Sequence, residues 1–208
     1  MKSVLGMSSV LAAGARELLA LVMRLAYNRG LINIKGGNAS IRERDGFWIT
    51  PSQVPKNMLR PEDMVYVKLT GKWEGSCKPS IEYRMHLMIY KEIKDVKAIV
   101  HTHNPYTLAL YESGLTLDPT KYIEAYSIGE CVAVVPKLHA GSNELAESVV
   151  GALGKCRVAV LLGHGAVAIT KGDIFSALDA LEALEDVSKI ELLKTLLSIK
   201  NNNYLRLT

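Results

Sequence analysis

The segment Ala98-Ile99-Val100-His101-Thr102-His103-Asn104 sets the tightest constraint on how this chain folds. An apolar run leading directly into His-x-His predicts a buried strand that ends in two metal ligands. In an extended chain, residues i and i+2 face the same way about 7 Å apart, so one divalent cation can take a nitrogen from each imidazole. The competing reading makes one histidine a solvated loop residue and the other a hydrogen-bonded core residue. A third histidine in a similar setting tilts the balance. Val158-Ala159-Val160-Leu161-Leu162 is again an apolar run, and it ends in Gly163-His164-Gly165. Three neutral imidazoles with one coordination position open make a catalytic zinc shell.

A chain of 208 residues can bury a substantial core and fits a single domain, with its organised part spanning about residues 10–197. Its hydrophobic content of 49% beside 22% charged residues is that of a soluble globular protein. A net charge of +4 is mild, and no block of basic residues forms a nucleic-acid footprint. Phe and Trp number two each, too few for a base-stacking platform. A nucleic-acid partner is therefore not expected. No apolar run approaches the ~18 residues of a membrane span, so no membrane partner is expected either. Lys2, the apolar residues from Val4 to Ala13 and the small residues that follow superficially resemble a secretory leader. Gly6, Ser8 and Ser9 interrupt that run, and the expectation is mature sequence. The three cysteines, Cys77, Cys131 and Cys156, are odd in number and widely spaced; free thiols in a reducing, cytoplasmic setting are the simplest account.

Apolar positions at helical spacing predict a helix over 10–28, with Gly30 suited to the left-handed position after it. Lys35 to Ser40 is a turn-rich loop entering a strand, and Arg44-Asp45-Gly46 predicts a hairpin into Phe47–Thr50. A proline-opened helical turn at 60–64 precedes a strand over 65–69. Pro79-Ser80 opens a helix to about Lys91, with Ser80 as its cap. Further helices are expected over 105–111, from Ser142 or Asn143 to Leu153, and from an Asp173 cap through Leu197. Strands are expected over 131–135, 158–162 and 166–169, and residues 113–130 are irregular. Strands and helices mix without strict alternation, so the fold class is α/β with a largely antiparallel central sheet flanked by helices.

Metal chemistry at such a site also needs a proton acceptor. Glu82, in the first turn of the helix after Pro79-Ser80, is the candidate; its alternative role is an acid placed favourably near a helix N-terminus. Gly36-Gly37-Asn38-Ala39-Ser40 can cradle an anion, because glycines permit close backbone approach and Asn and Ser donate hydrogen bonds. Ser52 and Ser80 could add donors to the same anion. His86, among Met85, Leu87 and Met88, is expected to be a satisfied core histidine, and His139 to face solvent.

Taken in order, Gly36-Gly37-Asn38-Ala39-Ser40-Ile41, Ile49-Thr50-Pro51-Ser52, Lys78-Pro79-Ser80-Ile81-Glu82-Tyr83-Arg84-Met85-His86-Leu87, Val100-His101-Thr102-His103 and Gly163-His164-Gly165 resemble the class II aldolase/adducin-domain family, in particular its fuculose-phosphate aldolase members. The resemblance implies a three-layer α/β/α fold with a mostly antiparallel sheet, and a homotetramer with active sites at subunit interfaces. It implies one zinc ion per subunit on His101, His103 and His164, with Glu82 alternating between metal ligand and base. It also implies a phosphate pocket from Gly37, Asn38, Ser52 and Ser80. The reaction implied is reversible cleavage of a ketose 1-phosphate to dihydroxyacetone phosphate and an aldehyde through a metal-stabilised enediolate.

Two positions depart from the family pattern. Ile81 stands where fuculose-phosphate aldolases commonly carry a second serine, and it cannot donate a side-chain hydrogen bond. The family's tyrosine proton donor, supplied by a neighbouring subunit, falls in Lys121-Tyr122-Ile123-Glu124-Ala125-Tyr126; Tyr122 is the choice, with Glu124 and Tyr126 as alternatives. Pentulose-5-phosphate 4-epimerases and methylthioribulose-1-phosphate dehydratases share the superfamily. The epimerases tend to carry Asp at the Glu82 position, which favours the aldolase, whereas Glu124 keeps the dehydratase open. Adducin head domains are the non-enzymatic alternative, an assembly module expected to lose the zinc ligands that are present here.

Overall fold

The computed structural model of the protein describes residues 14–204, and side chains as far as residue 198. The N-terminal run weighed as a leader, and the first residues of the expected opening helix, lie outside the described part. Helix α1 spans Ala15–Asn28 and buries Leu19, Ala20, Val22, Met23 and Ala26, one stripe of a 3.6-residue period. Gly30 follows at φ 77°, the left-handed conformation that lets the chain turn away. Next come β1 (Asn38–Glu43), β2 (Gly46–Ile49), β3 (Val65–Lys68) and the short β4 (Trp73–Glu74). Then α2 (Tyr83–Glu92) leads into β5 (Ala98–Thr102) and α3 (Pro105–Glu112). The chain closes with β6 (Val132–Val135), α4 (Asn143–Leu153), β7 (Val158–Leu161), β8 (Gly165–Thr170) and α5 (Ile174–Tyr204).

The strands form one eight-stranded sheet in the order β4-β3-β2-β1-β5-β8-β7-β6, in which every pairing is antiparallel except β6 with β7. Successive residues of the inner strands go to opposite faces. Val100, Val158, Val160, Ala166 and Ala168 pack with α1, α3 and α5, whereas Ile99, Ala159, Leu161, Val167 and Ile169 pack with α2 and α4. This period-two alternation between two apolar layers produces the expected three-layer α/β/α arrangement with a mostly antiparallel sheet. All five residues of β5 are buried, as a strand covered on both faces must be.

Two expectations need correction. Ser80 does not cap α2. Its N–H donates to Thr50 O at 3.1 Å, and Pro79 bridges Pro51, so residues 79–80 are held against the segment after β2. The helix therefore starts later, with Glu82 at its N-cap position; the Ser80 hydroxyl accepts the Glu82 N–H at 3.3 Å. The cysteines are not all free either. Cys131 and Cys156 form a disulfide with Cα atoms 5.4 Å apart, and Cys77 alone is free. The parallel pairing of β6 with β7, Val132 beside Val158, brings together the residues just before each strand, a proximity that the 25-residue separation conceals. The case for a reducing compartment that rested on three thiols falls with it.

Candidate metal centre and anion cavity

β5 carries His101 on its last turn of extended chain and releases His103 just beyond it. The end of this strand is fastened from several sides. Thr102 Oγ1 donates to Asn104 Oδ1, and Asn104 Nδ2 donates to Leu181 O of α5 at 2.9 Å. Glu185 of α5, itself buried, accepts the N–H groups of Tyr106 and Thr107 at 2.9 and 3.0 Å and so caps α3 from a distance. His103 N–H donates to Leu31 O at 2.8 Å. The tight β7–β8 turn, with Gly163 at φ 69°, brings His164 beside that strand end, because β8 pairs directly with β5.

The three rings lie within 4.7–5.4 Å of one another, centroid to centroid. One ligand-capable nitrogen from each falls within a sphere of mutual distances under 4.8 Å, so His101, His103 and His164 can hold a metal ion. Glu82 reaches in from the N-terminus of α2: its Oε2 lies 3.2 Å from His101 Nε2 and its Oε1 3.7 Å from His164 Nε2.

The protonation pattern points to a cation. His101 Nδ1 faces the Ala166 carbonyl at 2.9 Å, and a carbonyl can only accept, so Nδ1 carries the proton and Nε2 presents a lone pair. Burial, then the neighbouring His164 and His103, hold His101 well below the ordinary imidazole range; the Ala166 carbonyl opposes this weakly. Burial and then His164 lower His103, against the raising influence of Glu82. The His101 Nε2 lone pair and Glu82 Oε2 thus face each other at 3.2 Å. Glu82 Oε1, His101 Nε2 and His164 Nδ1 are all buried without a hydrogen-bond partner. Of these, Glu82 Oε1 and the His101 Nε2 lone pair are acceptors, and leaving them unshared is costly unless a positive ion lies between them. Two tetrahedral zinc ligands at 2.0–2.1 Å stand about 3.3 Å apart, a spacing that the Glu82–His101 pair matches at 3.2 Å, while Glu82–His164 at 3.7 Å is wider.

Glycine sets the approach of the loop before β1. A Cβ on Gly36 would lie 2.7 Å from His103 Nδ1, and one on Gly37, at φ 67°, would lie 2.8 Å from His101 O. Next to the centre is a cavity of about 110 Å³, lined among others by Gly37, Asn38, Ser52, Ser80, Glu82, His103 and His164. Glu82, His103 and His164 therefore border one space with Gly37, Asn38, Ser52 and Ser80, whereas His101, fully buried, does not line it. Asn38 is already engaged: Nδ2 donates to Glu82 Oε2 at 3.2 Å, and Oδ1 accepts from His86 Nε2 at 2.6 Å. Ile81 is exposed.

Tyr122 does not border this cavity. It bonds Glu191 and accepts from Lys194 Nζ at 3.0 Å, both on α5. Tyr126 and Ile123, beside it, are almost fully exposed. His139 is exposed and His86 is a satisfied core histidine, both as expected. Sequence reasoning missed Lys56, a buried residue that also lines the cavity. A lysine in a proline-flanked loop carries no periodic signal that would have found it.

Residues 17–192 match the family described as Class II Aldolase and Adducin N-terminal domain. A 5-methylthioribulose-1-phosphate/5-deoxyribulose-1-phosphate aldolase of Rhodospirillum rubrum is 35% identical over 147 residues, 71% of this chain and 65% of that protein, so just under two thirds of the relative is spanned. A 3-oxo-tetronate 4-phosphate decarboxylase of Haemophilus influenzae is 33% identical over 183 residues, 84% of this chain and 85% of that one. Among solved structures, an L-fuculose 1-phosphate aldolase superposes with a TM-score of 0.81 at 27% identity, covering 88% of this chain and 87% of the other. With the family pattern matched from α1 into α5, the chain belongs to the class II aldolase and adducin N-terminal domain family.

Proposed function

We propose that the protein is a zinc-dependent aldolase that reversibly cleaves a ketose 1-phosphate of the fuculose 1-phosphate type into dihydroxyacetone phosphate and an aldehyde. The observation that carries this reading is the buried Glu82 carboxylate, unpaired at Oε1, set against three imidazoles at the edge of a glycine- and serine-lined cavity. His101, His103 and His164 would hold one zinc per subunit, with Glu82 as a further ligand before substrate enters. The ion, when bound, supplies Lewis-acid polarisation of the ketone and offsets charge on the enediolate.

In the synthesis direction, the phosphoryl group sits against Gly37, Asn38, Ser52 and Ser80. Glu82 takes the carbon-bound proton of dihydroxyacetone phosphate, and the electron pair left on carbon forms the new bond to the aldehyde carbon. A positioned base of this kind contributes about 10²–10⁴-fold. Asn38 Nδ2 steadies the Glu82 oxygen that is not taking the proton.

A tyrosine then protonates the aldehyde oxygen. Tyr122 is held by Glu191 and Lys194 within its own subunit. The 91% exposure of Tyr126 makes it the better placed of the two to reach a neighbouring active site. A homotetramer is part of the same reading, and exposed Ile123, Leu196 and Leu197 offer apolar surface for contact between subunits. No described helix is long and apolar enough to cross a membrane. A cytoplasmic location belongs to the proposal because doubly charged sugar phosphates do not cross membranes unaided.

The test is a screen of ketose phosphates, including L-fuculose 1-phosphate, 5-deoxyribulose 1-phosphate and methylthioribulose 1-phosphate, coupled to detection of dihydroxyacetone phosphate. Release of dihydroxyacetone phosphate is expected from at least one. Loss of water from methylthioribulose 1-phosphate without carbon–carbon cleavage would replace the proposal with a dehydratase. Loss of carbon dioxide from a 3-oxo acid phosphate would replace it with a decarboxylase.

A further inference from the structure

Lys56 begins a short 3₁₀ turn, Lys56–Met58, after the loop that leaves β2. It is only 2% exposed, the most deeply buried lysine among the described residues. Its ammonium donates to Pro51 O at 2.9 Å and to Val54 O at 3.4 Å. No carboxylate among the described residues lies within 4.0 Å of it, whereas Lys68, Lys121, Lys171 and Lys194 each have one. Two carbonyl dipoles satisfy two of the three N–H groups but do not neutralise a full charge. Burying an unpaired charge is costly, so a lysine held in this way calls for an anion that offsets the cost. Burial lowers Lys56 to about 8, which still leaves it mostly protonated at neutral pH.

Lys56 lines the same cavity as Gly37, Ser52 and Ser80. The loop that connects it to Ser52 holds Gln53 at φ 62°, a left-handed backbone that side-chain-bearing residues seldom adopt. Strain of this kind and an unpaired buried charge recur where a chain is shaped for a ligand.

We infer that Lys56 is the charge-bearing ligand of the cavity: its ammonium binds the phosphoryl group of the substrate and supplies the grip that exposed Ile81 cannot. This rests on the sugar-phosphate reading and names the residue that sets anion affinity within it. The alternative is a strut, in which Lys56 serves only to hold the carbonyls of Pro51 and Val54.

Lys56→Gln separates the two, since glutamine keeps two N–H groups for those carbonyls and loses the charge. Inorganic phosphate, titrated calorimetrically into the protein as purified, is expected to bind the Gln variant at least about tenfold more weakly than the native chain. Lys35→Gln, which removes an exposed charge at the rim, is expected to change affinity far less. Native phosphate affinity in Lys56→Gln would establish the strut and overturn the inference. A second measurement needs no variant: saturating phosphate is expected to move the side-chain Cε resonance of Lys56 more than that of any other lysine, and an unmoved Lys56 resonance would overturn the inference as well. Phosphate binding through Lys56 with no ketose phosphate cleaved would remove the aldolase and leave this inference standing. Cleavage by Lys56→Gln with a native KM would do the reverse.

Discussion

His86 is fully buried in a hydrogen-bonded chain whose direction is set by the Glu82 carboxyl group at its end. The chain runs Tyr90, Ser40, His86, Asn38, Glu82, with contacts of 2.8, 2.6, 2.6 and 3.2 Å. The Glu82 carboxylate accepts from Asn38 Nδ2, so Asn38 Oδ1 must accept from His86 Nε2. His86 Nδ1 is then an acceptor for the Ser40 hydroxyl, which in turn accepts from Tyr90. This polarity requires a neutral imidazole. Burial holds His86 down at about 3, from an ordinary 6.5, with Glu82 opposing the shift. The sign follows: the unfolded chain takes up the His86 proton near pH 6.5 and the folded chain only near pH 3. Its contribution to stability is therefore complete above pH 6.5 and is lost as pH falls towards 3. His101 acts in the same direction. In metal-free protein, His86→Gln is expected to make the dependence of unfolding free energy on pH shallower by up to one proton between pH 3 and 6.5, about 1.4 kcal/mol per pH unit. Urea denaturation at a series of pH values measures it, and an unchanged slope would mean that His86 is charged in the folded state. From sequence, His86 was legible as a satisfied core histidine but not as Asn38's orienting partner. Ser40 and Asn38 lie 46 and 48 residues away and meet it only once β1 is in the sheet.

At the scale of elements, β1, β5 and β8 are neighbours in the sheet, and each delivers part of the site from the same end. The fit between β5 and β8 is closest at Gly165, where a Cβ would lie 2.0 Å from Thr102 O and 3.0 Å from His103 Cα. Gly165→Ala must push the start of β8, and His164 with it, away from β5. Overpacking of this kind costs about 1–3 kcal/mol, and the displaced imidazole is expected to weaken zinc binding at least about tenfold. Chemical denaturation and a competitive zinc titration check both, and a variant with native stability and native zinc affinity would show that the glycine does not set the site. Strands β5, β7 and β8 and the glycine-flanked His164 were legible because fully apolar runs between turn residues have few other solutions in a chain this size. The start of α2 was not. The local pattern favours Ser80 as cap, whereas a bridge between Pro51 and Pro79 decides the matter from 28 positions earlier in the chain.

Across the whole molecule, one topology accounts for both what was legible and what was hidden. Placing β5 and β8 side by side brings the rings of His101 and His103 to 4.7 and 5.4 Å from that of His164, centroid to centroid, and the two halves of the chain meet there. The same sheet sets β6 beside β7 and so pairs Cys131 with Cys156, which residue spacing alone argued against. The central claim is that these imidazoles bind a metal ion next to Glu82, which moves a carbon-bound proton. Exchange of that proton of dihydroxyacetone phosphate with deuterated solvent tests it most directly. Native protein holding about one zinc per chain should catalyse the exchange, lose it on chelation and regain it with zinc, and Glu82→Gln should keep the zinc and show no exchange. Undiminished exchange in the metal-stripped protein, or in Glu82→Gln, would contradict the account.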